Sequence, residues 1–459
     1  MKFINLSVEE LWETLLEFEK FHVEFSESFR TKTHNMSQQA GQYIQGQLLC
    51  LERGNMTNLI KVVPNSDAQS FQQFLSDSPW EDETVISHIQ SDVMSLIGQG
   101  DEGAVHIDES GFPKQGNFSV GVKRQYCGRL GKVDNCQMGV FLGYTHGAYR
   151  TLIDRRLYLP EEWANDSDRR RKAGVPNQII FQTKAQLGLD MLKEAIRRGV
   201  RFGWVGMDCH YGQQPWLLQQ LASLPVTYIA DIPCDTCVWL ERPATEIPAR
   251  KGGRGRLPHC QHIKEGEPLP VEVQELAQRL PDKAWKRLFL RDTQRKELWC
   301  RLAALPVYPV WDGLPGPAHW LLIRQNEGEK EIKYQLSNAP FSTPLSRLGS
   351  MSASRYWMER ALEDAKGQAG LADYEVRGWR GWHHHMTMTL LAMLFLLRLT
   401  IKWQGKAPWL TVQDVREILE VILPKRQITP QEILELIEQK HKARDSAKRS
   451  HHRLFHLRM

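Results

Sequence analysis

Long apolar runs are missing from this sequence. The longest unbroken one extends only from Leu390 to Leu397 and stops at Arg398, far short of the roughly 20 residues a helix needs to cross a bilayer, so no membrane partner is expected. The first residues, Met1-Lys2-Phe3-Ile4-Asn5, lack the apolar stretch and small-residue cleavage site of a secretory signal. Cysteine is sparse, with eight scattered through 459 residues, which argues against a disulfide framework and for reduced thiols in the cytoplasm. Internal repeats and low-complexity tracts are absent as well. Neither sign of charge dominates, the net being +5. What is present is a soluble globular composition, 41% hydrophobic and 25% charged, in a chain long enough for two or three domains.

The small excess of base is unevenly spread. It gathers at Arg155-Arg156, at Arg169-Arg170-Arg171-Lys172, at Arg250-Lys251 with Arg254 and Arg256, and through the tail from Lys440, where Arg444, Lys448, Arg449, His451, His452 and Arg453 follow. Such clusters either neutralise phosphates, giving affinity for nucleic acid without sequence readout, or decorate solvated loops. Several in one chain favour a nucleic-acid partner.

To about Gly98 the texture is helical, with Leu11, Leu15, Phe18 and Phe21 forming a stripe over Val8–Phe21 and a looser pattern over Ala40–Met56. From Ala104 it changes. Ala104–Asp108 is a short apolar run ending in an acid, and Phe118–Cys127 and Asp134–Thr145 read as an antiparallel pair. A helix over Thr183–Gly199, a strand over Phe202–Asp208, a helix over Gly212–Leu221 and a strand over Val226–Ile232 follow. Beyond Thr236 the pattern breaks up around a Gly/Arg/Pro-rich loop, Lys251–Pro258. The best later strands are Leu298–Val310, His319–Arg324 and Glu331–Ser337. Helices are predicted over Ala353–Gly367, with Ser352 or Ser350 as N-cap, and over Trp379–Leu399, Val412–Leu423 and Gln431–His441.

Two aspartates, Asp108 and Asp208, close the first and fourth of these strands. A strand-terminal Asp alone is often only a turn former. Together with a later helical glutamate, however, two such acids can hold the hard divalent cations of two-metal phosphoryl transfer. Arg355, Glu359 and Lys366, spaced four and then seven residues apart, fall within roughly 40° on one helical face at about 100° per residue. A carboxylate flanked by two cations suits a site holding metal beside a DNA phosphate, although a surface ion-pair stripe has the same look.

These pieces resemble bacterial insertion-sequence transposases of the DDE type, in particular the group with a Y-x2-R-x3-E-x6-K signature. Arg355, Glu359 and Lys366 match its last three letters, while Ser352 stands at the Tyr position and Tyr356 is not equivalent. His106–Lys114, Arg124–Gly131, Gly203–Asp208, Glu363–Gly367 and Tyr374–Trp382 carry the same likeness, which spans roughly Gly103 to Leu399. The resemblance implies an α/β fold: an RNase H-like mixed-sheet catalytic core with a β-rich insertion, plus helical N-terminal and C-terminal regions. The corresponding division is a helical DNA-binding domain at 1–98, the first part of the core at 99–235, the insertion at 236–349, the Glu helix and its successor at 350–403, and a helical region with a basic tail at 404–459.

The resemblance further implies Asp108, Asp208 and Glu359 as a metal-binding catalytic triad, with two Mg ions (or Mn) as cofactor. Glu363, one turn beyond Glu359, competes for the third position. Glu109 is expected on the opposite face of its strand. Lys114, Lys123, Arg124 and Arg129 either contact phosphates, as Arg355 and Lys366 are expected to, or decorate hairpins. Trp320 and Trp311 either stack on a flipped base or pack a core. Cys234-Asp235-Thr236-Cys237 with His259-Cys260-Gln261-His262 is read as a coincidental likeness to a zinc site. His383-His384-His385 point around their helix and cannot converge on one metal.

The expected activity is cleavage and rejoining of DNA at element ends. Water attacks the phosphodiester and releases a 3′-hydroxyl, which then attacks the opposite strand, forming a hairpin, or target DNA. Partners are double-stranded DNA, as terminal inverted repeats and target, and a second copy of the chain in the DNA complex. The protein is expected in the cytoplasm, on the nucleoid when DNA-bound. A transposase-derived DNA-binding protein without catalysis and an RNase H-like nuclease are the alternatives.

Overall fold

The computed structural model describes residues 5–50, 53–248, 259–293, 296–427 and 429–456. The basic group Arg250, Lys251, Arg254 and Arg256 lies outside the described residues, as do the first four residues and the side chains of His451, His452 and Arg453.

Six strands build the central sheet: β1 (Ala104–Pro113), β2 (Lys123–Cys127), β3 (Lys132–His146), β4 (Tyr149–Leu157), β5 (Trp204–Met207) and β6 (Tyr228–Ile232). β1 pairs antiparallel with β3, which pairs antiparallel with β4 and β2. On its other side β1 pairs parallel with β5, and β5 with β6. The order β4-β3-β1-β5-β6, antiparallel in its first half and parallel in its second, is the RNase H-like arrangement. The core is therefore α/β, as expected.

One strand of this core was not anticipated. The expected antiparallel pair is present, its Phe118–Cys127 strand shortened to β2, and β4 adds a second hairpin partner to β3. Arg150, Asp154, Arg155 and Arg156 interrupt the apolar pattern of β4, so Arg155-Arg156 looked like a phosphate-binding cluster. Arg155 is in fact fully buried. Its guanidinium reaches Asp82, Glu83 at 3.1 Å and Asp154 at 3.3 Å, and Arg156 reaches Asp154 at 2.9 Å. The cluster ties β4 to the helix Asp82–Ile97 instead of facing solvent.

Helices cover both faces of the sheet. Helix Lys184–Arg197, started by a Thr183/Gln186 capping box, covers one face, where Gly188 lets the backbone come close to Ile107. Helices Arg355–Gln368 and Trp379–Gln404 cover the other: Gly143 sits against Met358 and Gly139 against Trp382. The second of these helices is long and apolar enough to cross a membrane, but 83% of its most apolar window is buried inside the protein. N-terminal helices Val8–Phe25, Ser37–Leu49 and Asp82–Ile97 wrap it. Phe18 and Phe21 meet Phe395 at 5.3 and 5.0 Å, so the helical segment and the sheet share one continuous core.

The stretch after Thr236 forms antiparallel strands Lys286–Asp292, Glu297–Trp311, His319–Asn326 and Ile332–Ser337. The last of these pairs antiparallel with β6, so this β-rich stretch prolongs the central sheet. At the C-terminal end, Val412–Ile422 and the largely exposed helix Pro430–His456 complete the described chain.

Candidate active site

The last parallel pair between β1 and β5 is Ile107 with Met207. Asp108 and Asp208 follow that pair directly, so the register sets them side by side, neighbouring strands being about 4.8 Å apart. Asp208 leaves the sheet and caps the short helix Cys209–Gly212, accepting from the N–H groups of His210 at 3.0 Å and Tyr211 at 3.4 Å. Asp108 lies inside a ten-residue strand, with Oδ1 accepting from the Glu109 N–H at 2.7 Å. Burial and the neighbouring Asp208 charge push the Asp108 carboxyl up to about 7. Asp208 is raised by burial and by Glu109, with Arg355 pulling the other way.

Arg355 gathers the acids. Its guanidinium is 2.6 Å from Glu359, 3.1 Å from Asp231 and 3.7 Å from Asp108. Although burial pulls it down, the charges of Asp108, Asp231 and Glu359 hold it above its ordinary value. Lys366, two turns beyond Glu359, is lowered by burial and by Arg129, while Asp108 opposes the shift. Glu363 is paired with Arg360 at 2.5 Å and is not held by Arg355; Glu359 is.

The start of this helix differs from expectation. Two helices, Leu345–Ala353 and Arg355–Gln368, meet at Ser354. Ser352 is therefore not an N-cap: it lies inside the first helix, 1% exposed, with its hydroxyl unpartnered. Ser350 also lies within that helix, where its hydroxyl donates back to the Ser346 carbonyl. Ser354 holds the joint by donating to the Met351 carbonyl and accepting from the Trp204 indole.

The other expected DNA contacts are dispersed. Lys114 donates to the Tyr374 carbonyl at 3.1 Å and stacks 3.4 Å over its ring; burial, aided by Arg53, lowers it to about 7. Arg129 and Lys366 line one cavity of about 600 Å³ together with Arg53. Arg124 and Lys123 line another of about 790 Å³, with Arg169, Lys172 and Arg377. Trp320 is half-buried, its indole donating to the Pro340 carbonyl at 3.3 Å beside Phe341. Trp311 is buried edge-on to His319. His383, His384 and His385 are all buried, and the latter two contact the Trp80 carbonyl and the Tyr43 hydroxyl.

Two neighbours were missed. Asp231 on β6, in a strand that was foreseen, is bound by Arg355 and by the Gln335 amide at 2.6 Å. An acid inside an otherwise apolar strand, Tyr228–Ile232, was the available signal. Tyr211 donates to Glu109 at 3.0 Å, and Glu109 also pairs with Lys184 at 2.6 Å. Glu109 thus faces the Lys184–Arg197 helix, opposite to Asp108, as strand alternation requires.

No three Asp, Glu, His or Cys side chains stand ready around a metal among the described residues. The donor set nevertheless fits a hard divalent cation. The carboxylates of Asp108, Asp231 and Glu359 already converge on one positive group, Arg355, and burial with nearby negative charge makes both Asp108 and Asp208 resist ionisation.

Comparison with known proteins follows the same line. Residues 24–297 match the family described as DDE superfamily endonuclease. Over 335 residues the chain is 25% identical to the "Probable transposase for insertion sequence element IS701" of Microchaete diplosiphon, covering 71% of this chain and 73% of that one. Among solved structures, the piggyBac transposase synaptic complex with hairpin DNA aligns with a TM-score of 0.37 at 11% identity, covering 90% of this chain and 77% of that one. The likeness to DDE-type insertion-sequence transposases is borne out, and the chain belongs to the DDE superfamily endonucleases.

Proposed function

We propose that this protein is a transposase that cuts DNA at the ends of an insertion sequence and rejoins it to a new site, with Asp108, Asp208 and Glu359 as its metal-holding catalytic acids. The observation that carries the reading is that Asp108 and Asp208 follow the last β1–β5 pair side by side, where burial and then the Asp208 charge lift the Asp108 carboxyl to about 7. An acid held back from ionising by burial and a neighbouring carboxylate is poised for a cation. Two divalent ions, Mg or Mn, supply Lewis acidity to the attacking and leaving oxygens when bound there.

The chain's own groups do the rest. The Asp208 carboxylate is aimed by two backbone N–H groups, which fixes one donor before DNA arrives. Arg355 holds Glu359 and Asp108 in place in the free protein; Asp108, Asp208 and Glu359 would hold the ions, and the planar Arg355 fork beside them suits the scissile phosphate. Lys366 lies on the same helical face and neutralises a neighbouring phosphate. Water attacks the phosphodiester at the element's end and breaks its P–O3′ bond, leaving a 3′-hydroxyl; that hydroxyl attacks a phosphodiester of the opposite strand, closing a hairpin and expelling the 3′-hydroxyl of the flanking DNA, and water reopens the hairpin before target joining. Double-stranded DNA, as terminal repeats and target, is the substrate, and two copies of the chain bring two ends together. The N-terminal helices and the basic tail are assigned to DNA binding.

The test is strand cleavage of a duplex carrying the element's own ends, with and without Mg, by wild type, Asp208→Ala and Glu359→Ala. Nicking at the repeat boundary that needs Mg and is lost in both variants supports the reading, and a hairpin product identifies the route. Tight binding of the ends with no cleavage under any metal leaves a DNA-binding protein instead.

A further inference from the structure

The sheet face that carries Asp231 does not stop at β6. Asp231 lies opposite Gln335, Lys333 opposite Arg324, and Arg324 opposite Leu302; directly paired residues project to the same face. Gln335 and Lys333 share a face because they are two apart on one strand. Four residues before Leu302, Leu298 pairs with Arg291 across a bulge. One face thus runs from the acids through Gln335 to Lys333, Arg324 and Arg291. The Arg355–Gln368 helix borders it: the Arg291 guanidinium stacks 3.7 Å over the Tyr356 ring and 5.2 Å from that of Trp357.

Arg324 has no protein partner that accounts for its position. It is 7% exposed, its Nε is buried without an acceptor, and it makes no hydrogen bond or ion pair among the described residues. Of the acids it feels, Asp231 is already held by Arg355 and Gln335, and Glu329 by the Asn326 amide. Burial lowers the Arg324 guanidinium, and nearby Arg355 adds to the effect. Burial lowers Arg291 too, with Arg324 adding to it. Burying an unpaired charge is among the costliest arrangements a fold can hold. Arg324 is such a group, and Arg291, half-buried and stacked on Tyr356, neighbours it on the same face.

We propose that Arg324, with Arg291 and Lys333, forms a subsite for a backbone phosphate of the DNA strand running from the acids onto the insertion. It rests on the strand-cleavage reading above and deepens it by assigning a binding role to the insertion. A phosphodiester oxygen pair matches a guanidinium fork and supplies the anion that the free protein lacks. Arginine suits this position better than lysine because its charge persists when buried.

The experiment is binding of a fluorescent DNA duplex by the full chain, without divalent metal, across a range of salt concentrations. Wild type, Arg324→Met, Arg324→Lys and Arg291→Met are compared, and the urea midpoint of each free protein is measured. Arg324→Met should weaken binding by about tenfold, the value of one charge-assisted hydrogen bond. It should also flatten the slope of log affinity against log salt by about 0.9, one phosphate's worth of counterions. Its urea midpoint should be unchanged or higher, since an unpaired buried charge has gone. Arg324→Lys should recover the slope but only part of the affinity, and Arg291→Met carries the same comparison should Arg324→Met fail to fold. An unchanged slope and affinity in both methionine variants, or weaker binding with an unchanged slope and a lower midpoint, overturns the subsite. A wild type with no affinity for duplex overturns the strand-cleavage reading along with it.

Discussion

Replacing Asp108 by Asn should stabilise the metal-free protein while destroying its cleavage activity. The Asp108 carboxyl is moved from its ordinary 3.8 to about 7 by burial and by Asp208. At about 1.4 kcal/mol per tenfold change in proton affinity, ionising it in the fold costs about 4 kcal/mol. Asn keeps the shape and an acceptor for the Glu109 N–H. Arg355 loses only its 3.7 Å contact and retains those to Glu359 and Asp231, so a net gain of about 2–4 kcal/mol remains. The sign follows from linkage. Between the unfolded and folded values the native state binds the extra proton, so wild-type stability falls as pH rises through that window. The advantage of Asp108→Asn is therefore absent below pH ~4, grows by up to about 1.4 kcal/mol per pH unit, and levels off above pH ~7. Urea denaturation with a chelator present, across that range, reads it directly. A variant less stable than wild type above pH ~7, or a difference that does not shrink with falling pH, refutes the reasoning.

Glu359→Gln is expected to abolish cleavage while Glu363→Gln leaves it within about threefold, because Glu363 is engaged by Arg360; a gel-based nicking assay separates the two, and the opposite ranking moves the third acid one turn on. Arg155→Ala, which leaves Asp82 without its cation and Asp154 with Arg156 alone, should cost about 3–5 kcal/mol in urea denaturation; a cost under ~1 kcal/mol would mean the network is only a surface pairing. Burial, opposed by Asp82, lowers His384 to about 4, so the unfolded chain binds its proton first and stability is lost as pH falls from 6.5 towards 4. His384→Phe, which keeps the 3.7 Å stack on Trp80, should gain on wild type through that window, and denaturation midpoints that fall in parallel would count against it.

The parts of the molecule that could be read from the sequence were those whose signals are local. Asp108 and Asp208 each end or interrupt an apolar run, and Arg355, Glu359 and Lys366 share a helical face, so the likeness could be seen before any contact was known. β4 was lost because its charges are answered by Asp82 and Glu83, more than seventy residues earlier; without those partners Arg155 reads as exposed. Ser352 failed as a cap because Leu345–Ala353 continues past it, and the joint falls at Ser354, whose hydroxyl is tied to Trp204. Asp231 acquires meaning only when β6, Gln335 and Arg355 come together from three separate stretches.

The pairing of Ile332–Ser337 with β6 also bears on how this protein can be cut down or grafted. Four successive residues of β6, from Ile229 to Ile232, have their partners in the insertion. Excising residues 236–349 would not trim an appendage. It would expose a raw strand edge next to Asp231, of the kind that recruits other chains into aggregates. A minimal version needs a replacement strand at that seam, whereas the distal hairpin at Asn326–Ile332 can be shortened or extended without touching it. Variation in insertion length among natural or engineered versions is therefore expected at the far tips and not at the seam.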